Sequence, residues 1–280
     1  MATSYDLIHM KPFGLMVQPQ SKALNVCDLP VNRLRELARR HHLIVLRGFS
    51  AVGDADAFAG YCGRWGEISL WPFGKVLELV EQDSPVDHIF ANSYVPLHWD
   101  GMYRPQVPEF QMFHCVSAPR DDQGGRTTFS NTVIALEQAT PRARKLWGKV
   151  TGIYRRKMEF YDSKTVAPII TTHPVSGFSV IRYCEPPLEG DDSFLNHPRL
   201  AFDGVTDDEV VDFHLSLREA LYAPESFYAH TWQTDDVVIS DNYTLLHGRD
   251  AFTSGSPRHL RRVHVLGEPS LDNPHLVAYA

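Results

Sequence analysis

The sequence predicts an α+β fold that is mainly β: a sandwich or jelly-roll barrel decorated by helices. Three observations predict it. Short runs rich in β-branched and aromatic residues recur along the chain, bounded by Gly, Pro and polar turns. Helical patterns gather near the N-terminus and between groups of these runs. The strict strand–helix–strand alternation of a doubly wound sheet is missing. So are a G-x-G-x-x-G turn after a strand and a P-loop, which removes the main support for a dinucleotide or nucleoside triphosphate site.

The first helix falls over residues 31–42, where Leu34, Leu37 and Ala38 share a face. LIVLRGF (43–49) reads as a buried strand. Asp54 suits the cap of a second helix, in which Phe58, Tyr61, Cys62 and Trp65 recur at three- and four-residue steps. Strands are expected at 76–80 and 110–116. Two helices follow, at 131–139 with Asn131 as cap and at 141–149 with Thr140 as cap. Pro141 holds the first position of the latter, where its missing N–H costs nothing. Runs at 152–158 and 178–184 read as strands. Thr206-Asp-Asp-Glu209 is a capping box, opening a helix with Val210, Phe213, Leu217 and Leu221 on its apolar face. Strands at 226–232, 236–240 and 261–266 complete the pattern.

Composition narrows the class. The chain has 280 residues, 43% hydrophobic and 22% charged, as in ordinary globular proteins, which disfavours disorder, a fibre or a coiled coil. This length allows one large domain or two small ones, and a core that needs no staples. A net charge of −7 and a pI near 6.0 argue against non-specific nucleic-acid binding. The four cysteines form no C-x-x-C pair, and Cys115, in an apolar run, is expected to be a buried thiol. No apolar run approaches the roughly 18 residues of a membrane span, and the start lacks a signal- or transit-peptide pattern. The expectation is a cytoplasmic protein with a small-molecule partner, no nucleic acid and no membrane. Homo-oligomer formation is left open.

Fourteen histidines are too many to treat each as a site, and His41, His42, His88, His197 and His275 have no context that lifts them above surface or core roles. His98-Trp99-Asp100 is different because of its setting, after SYVPL and before Gly-Met-Tyr. The tripeptide alone is weak, since chance supplies about one H-x-D in such a chain. On an extended strand, residues i and i+2 point to one side, so imidazole and carboxylate would converge. Two histidines and one carboxylate are the ligand set of non-haem Fe(II) oxygenases. The alternative is a structural His–Asp pair at a strand end. A second piece is DNYTLLHGRDAFTSGSPRHLRRVHV. In it His247 ends a strand-like run, Gly248 starts a loop, and Arg258 and Arg262 open the last strand. At i and i+4 these arginines share a face; if that face is interior, they are cations in need of anions. Otherwise this is a surface loop with a basic strand beyond it. The third piece, Gly124-Gly125-Arg126-Thr127-Thr128-Phe129, reads by itself as a hairpin turn leading into a strand.

Together the three pieces resemble the TauD/TfdA family of Fe(II)- and 2-oxoglutarate-dependent oxygenases. Its pattern is H-x-D, then G-G-x-T, then a distal His followed by R-x-x-x-R. Here these are His98/Asp100, Gly124–Thr127 and His247, with Arg258 and Arg262 eleven and fifteen residues beyond. LIVLRGF and Gly63-Arg-Trp-Gly66 resemble the family's N-terminal strand and helix, so the likeness spans roughly residues 30–267. A narrower likeness, in WPFGKVLELVEQDSPVDHIFANSYVPLHWDGMY and GGRTTFSNT, is to the PvcB-type oxygenases of isocyanide biosynthesis.

The resemblance implies a double-stranded β-helix (jelly-roll) core and a single oxygenase domain over 1–280. It implies Fe(II) on His98, Asp100 and His247, with 2-oxoglutarate and O₂ as cosubstrates. Arg258, with the Thr127 hydroxyl, would hold the far carboxylate of 2-oxoglutarate, which a bidentate guanidinium suits better than an ammonium does. Arg262 would face the substrate's carboxylate, and Tyr94 and Tyr103 would line the pocket, with Tyr183 a weaker candidate. The implied reaction oxidises the side chain of an aromatic amino-acid isonitrile, most simply that of tyrosine, at the benzylic carbon. It ends in desaturation with the acid kept or in loss of CO₂ to a vinyl isonitrile, and the sequence reading leans slightly to loss. The competing readings are a TauD-like hydroxylase of a sulfonate or other small acid, a Zn²⁺ hydrolase, which would leave R-x-x-x-R without a role, and a non-catalytic binding protein.

Overall fold

The computed structural model describes residues 5–21, 24–50, 52–158, 161–187, 193 and 195–278. The fold is α+β and mainly β. From the N-terminus, β1 (Tyr5–His9) and β2 (Leu15–Pro19) pair as a hairpin. Helix α1 (Val31–His41) buries Leu34, Leu37 and Ala38, and its last turn carries Arg39, Arg40 and His41, where the helix dipole favours cations. β3 (Leu43–Leu46) is wholly buried. Helix α2 (Ala55–Gly63) starts where the Asp54 carboxylate accepts the Ala57 N–H at 2.9 Å. Then come β4 (Leu77–Val80), β5 (Val95–His98), β6 (Gln106–Val107), β7 (Phe110–Ser117) and β8 (Thr127–Asn131). Asn131 and Thr140 cap α3 (Thr132–Gln138) and α4 (Pro141–Trp147), as the sequence predicts. β9 (Thr151–Met158), β10 (Tyr161–Pro168), β11 (Ile170–Thr172), β12 (Ser179–Ile181) and β13 (Arg199–Asp203) follow. The reciprocal bonds of Thr206 and Glu209 open α5 (Asp207–Leu221). The chain closes with β14 (Phe227–His230), β15 (Val237–Asp241), β16 (Leu245–Arg249), β17 (His259–Val265), β18 (Leu271–Asp272) and β19 (Leu276–Ala278).

A seven-stranded sheet runs β1-β2-β3-β15-β7-β17-β4, and a four-stranded sheet runs β14-β8-β16-β5. They face each other. Leu43, Val45, Phe113, Val238 and Leu260 of the larger sheet meet Phe129 and Leu245 of the smaller across one core. Alternation sends Ile44, Leu46, Met112 and Ile239 to the opposite face of the larger sheet, where α1 and α2 cover them. Leu97 and Leu246 point out of the smaller sheet towards α3, α4 and α5 and towards β9 of a third sheet, β13-β9-β10-β19. The site is built on β5, β7, β8, β16 and β17, which carry helices or sheets behind them.

Some expected elements differ. The strand expected at 178–184 spans only Ser179–Ile181. Just beyond it the Arg182 N–H still donates to the Ile169 carbonyl at 2.8 Å, while its guanidinium donates to the carbonyls of Asn242 and Tyr243. β10 escaped the sequence reading because its buried positions are Ser163, Thr165 and Ala167, which give no hydrophobic period. Cys115 is fully buried, and burial pushes its thiol up to about 12. Among the described residues no helix is long and apolar enough to cross a membrane.

The capping box gives a test of helix energetics. Thr206→Ala removes a bond to the Glu209 N–H and should cost about 1 kcal/mol. The expected result is a lower denaturation midpoint with an unchanged m-value.

Candidate active site

β5 and β16 are neighbours, and His98 and His247 are paired across them, with ring centroids 4.2 Å apart. Two details differ from the sequence reading. β5 ends at His98, so Asp100 is not on the strand; it reaches the histidines from the turn that follows. That turn needs Gly101 at φ +92°, where a Cβ would lie 2.5 Å from Pro108 Cδ. His247 lies within β16 rather than at its end, and Gly248 continues the strand because the next loop starts later. Asn242 clamps Asp100, accepting its N–H and donating to its carbonyl, both at 2.9 Å. The ligand-type atoms of His98, Asp100 and His247 all lie within 4.8 Å of one another.

The donor set fits a divalent cation. The His98 Nδ1 is 2.9 Å from the Pro96 carbonyl, a bond that assigns Nδ1 the proton and leaves Nε2 as a lone pair on the Asp100 side. Burial, and then the neighbouring His98, holds the His247 imidazole well below its ordinary pKa. Burial also lowers His98, against the pull of Asp100. Burial opposes ionisation of Asp100, but Arg262, His264 and His247 outweigh it and hold the carboxyl well below the usual range. Two neutral imidazoles and an anionic carboxylate are the protonation states a metal requires.

Two residues support this cluster that the sequence reading did not name. Gln111 Nε2 donates to Asp100 Oδ2 and lies 3.0 Å from His247 Nε2. His264 Nε2 is 2.8 Å from Asp100 Oδ2. His264 could have been found at i+2 from Arg262 on the same strand face; Gln111 carried no signal, because its link to His264 is a cross-strand register.

Behind the cluster is a cavity of about 60 Å³ lined by His98, Thr127, His247, Arg249, Arg258 and Arg262, among others. Arg258 is 4% exposed, and its Nε donates to the Gly125 carbonyl at 2.8 Å. Among the described residues no carboxylate lies within ion-pair distance of it. Burial lowers its pKa to about 10, so it stays cationic at neutral pH and fits an anionic ligand. The glycine pair has a steric reason: a Cβ on Gly125, at φ +75°, would lie 2.8 Å from Arg258 Cδ. The Thr127 hydroxyl accepts the Trp232 indole N–H at 3.1 Å. Arg249 is also buried, but its Nη2 donates to the carbonyls of His88, Ala91 and Ser93.

In front lies a larger cavity of about 240 Å³. Arg262 lines both cavities, and its Nη1 contacts Asp100 Oδ2 at 3.0 Å. Tyr103 lines the larger cavity, its ring stacked on Tyr161 at 5.8 Å. Tyr94 is a correction: it lines neither cavity, because its hydroxyl turns to Tyr222, which in turn bonds Glu185. Tyr183 is also turned away, hydrogen-bonded to His214 at 2.7 Å. His88, given no site role from sequence, lines both cavities.

A sandwich with a two-histidine, one-carboxylate cluster and a buried, unpaired arginine behind it has the form of a non-haem oxygenase. Residues 17–264 match the taurine catabolism dioxygenase TauD, TfdA family, and the chain belongs to that family. Within it the chain is 53% identical over 264 residues to the tyrosine isonitrile desaturase of Pseudomonas aeruginosa, covering 94% of this chain and 91% of that protein. It is 36% identical over 266 residues to the 3-((Z)-2-isocyanoethenyl)-1H-indole synthase of Fischerella ambigua, covering 95% and 97%. The solved structure of PvcB, described as an Fe, alpha-ketoglutarate dependent oxygenase from an isonitrile synthetic pathway, matches with a TM-score of 0.84 at 48% identity, covering 98% of this chain and 95% of that one.

The buried histidines predict a pH response of the metal-free protein. Burial lowers His98, His230, His247 and His264, and takes His88 to about 3 against the pull of Asp87. In the unfolded chain these imidazoles take protons near about 6.5. The stability they contribute is therefore full above that pH and is lost as pH falls below it. Denaturation midpoints should fall from pH 7 to pH 5 with proton uptake on unfolding, and a flat profile over that range would contradict the assignment.

Proposed function

We propose that this chain is an Fe(II)- and 2-oxoglutarate-dependent oxygenase that desaturates the side chain of a tyrosine-derived isonitrile. One observation carries the reading: the cluster of His98, Asp100 and His247 shares walls with two cavities, one leading to the unpaired cation of Arg258 and one large enough for an organic substrate. His98, Asp100 and His247 would hold the iron. Arg258 and Thr127 would hold the distal carboxylate of 2-oxoglutarate, and Arg262, while keeping Asp100, would face the substrate's carboxylate. Tyr103 would form part of the substrate wall. We read the two facing sheets as a double-stranded β-helix and the whole chain as one oxygenase domain.

When bound, iron with 2-oxoglutarate and O₂ supplies the oxidant that removes hydrogen from the benzylic carbon. The substrate gives up two hydrogens and forms a carbon–carbon double bond; 2-oxoglutarate becomes succinate and CO₂, and the remaining oxygen atom leaves as water. The protein's part is positional. The Pro96 carbonyl orients His98, Asn242 fixes the Asp100 backbone, and Gln111 and His264 hold the Asp100 carboxylate. Arg262 would keep the substrate's acid close to the cluster, so that the adjacent benzylic carbon faces it. We assign the branch that retains the acid. A guanidinium fork resists conversion of a carboxylate to neutral CO₂, and the 53%-identical relative is named a desaturase. This reverses the slight lean drawn from sequence.

The test is tyrosine isonitrile labelled in its carboxylate, incubated with Fe(II), 2-oxoglutarate and O₂. One succinate should form per substrate consumed, with the label kept in an unsaturated acid. Label in CO₂ would assign the decarboxylating branch. No substrate consumption despite normal 2-oxoglutarate binding would favour a hydroxylase of another small acid. Ala at His98, Asp100 or His247 should abolish the anaerobic Fe(II)–2-oxoglutarate charge-transfer band and turnover together. Arg258→Gln should retain iron but lose roughly 2–5 kcal/mol of 2-oxoglutarate binding, about 30- to several thousand-fold in affinity.

A further inference from the structure

We propose that Arg156, together with the Tyr103 hydroxyl, reads the para-hydroxyl of the substrate ring and so selects a phenol over other aromatic rings. This rests on the isonitrile reading above and deepens it.

Among the described residues, eleven buried side-chain polar atoms lack a hydrogen-bond partner. Three of them belong to residues lining the larger cavity: Trp99 Nε1, Tyr103 Oη and Arg156 Nε. A buried donor without a partner is costly, and a ligand that supplies the partner recovers that cost on binding. Trp99 and Arg156 can only donate there, whereas the Tyr103 hydroxyl can donate or accept. For Arg156 and Tyr103 together, the matching ligand group is an oxygen that can both accept and donate, as a phenol does.

Charge separates this end from the Arg262 end. Arg156 comes from β9, in the sheet that covers the outer side of the site. Its Nη2 already donates to Asp87 Oδ2. Asp87 is fixed in turn by the Ile89 N–H at 3.0 Å and the Asn196 amide at 2.8 Å. Arg156 therefore lines the cavity as the cationic half of a neutral ion pair, which suits a neutral phenol oxygen better than a carboxylate. Arg262 instead contacts Asp100 beside the metal cluster. The substrate's acid is two bonds from the benzylic carbon and must stay close to that cluster, while its para-oxygen lies across the whole ring. Tyr103 and Tyr161 stack at 5.8 Å with 15° between their planes, which fixes the Tyr103 ring. Arg156 pairs across β9 and β10 with Ser163, whose hydroxyl donates to the Tyr103 carbonyl at 3.1 Å, so Arg156 and Tyr103 lie side by side in the fold. An indole brings no oxygen to this corner, and an unsubstituted phenyl brings no polar atom at all.

The experiment compares kcat/KM for tyrosine isonitrile and phenylalanine isonitrile in the wild type, Tyr103→Phe, Arg156→Gln and the double variant Asp87→Asn/Arg156→Gln. The wild type should prefer the hydroxylated substrate by at least ~10-fold, as a site built to bond a hydroxyl does. Each variant should bring the preference towards parity, mainly by raising KM for tyrosine isonitrile, so that kcat/KM falls more for tyrosine isonitrile than for phenylalanine isonitrile. Tyr103→Phe deletes a buried hydroxyl that has no partner, so its denaturation midpoint should hold or rise, and it serves as the test if the Arg156 variants do not fold. Wild type that consumes both substrates equally well, or variants that keep the full preference, overturn the inference while leaving the reaction assignment standing. If the wild type consumes neither isonitrile, the reaction assignment fails and this inference fails with it.

Discussion

Asp100 is a largely buried carboxylate, and a buried charge must be met on every side. Arg262 and His264 reach it from β17, Gln111 from β7, and Asn242 fixes its backbone from the loop between β15 and β16. These contacts tie the larger sheet to the turn after β5, a strand of the smaller one. They also keep the carboxylate ionised next to two imidazoles that burial keeps neutral. Removing one of these partners would leave part of the charge unmet, so the arrangement is held by electrostatics as much as by packing. The rest of the site follows from where this charge lies: one cavity opens behind it and one in front.

Buried guanidiniums have different functions here according to what satisfies them. Arg182 lies 3.7 Å from the centre of the Trp99 ring and donates to two backbone carbonyls, joining the β12 region to the loop before β16. Arg249 donates from Nη2 to carbonyls of the 88–93 segment and so shapes the wall shared by the two cavities. Arg258 has one backbone bond and no carboxylate among the described residues. Arg258 differs in having a single carbonyl bond while lining the cavity behind the cluster. Sequence cannot separate these cases, because the difference lies in which carbonyls come near.

The larger cavity is graded. Near His98 its wall is charged, with Asp100, Arg262 and His264. At the outer mouth it is apolar, with Trp71 stacked on Phe73 at 5.8 Å and Val86 exposed. Arg104 holds this mouth by lying 4.8 Å from the centre of the Trp71 ring and donating to the Leu70 carbonyl. Along β9 and the segment before β5, Arg156 and Asp87 add a second polar corner. An amphipathic aromatic amino-acid derivative, with an acid at one end and a phenol at the other, matches such a surface.

Local signals carried much of the fold. The caps at Asp54, Asn131, Thr140 and Thr206 marked four helices, since a side chain that satisfies an orphan N–H acts within three residues. The order His98, Asp100, Gly124–Thr127, His247, Arg258, Arg262 was readable because each short motif keeps its own chemistry. β10 was hidden because its buried face is Ser163, Thr165 and Ala167, and the 178–184 run was read as longer than it is. The roles of Gln111, Arg156 and Arg249, and the turning away of Tyr94 towards Tyr222, were decided only by tertiary structure. The sequence by itself determined which residues have the right chemistry, since that belongs to side chains and their near neighbours. The folded chain decided which of them meet, since Asp100 and Arg262 are brought together only when two sheets close on each other and a buried charge demands a partner.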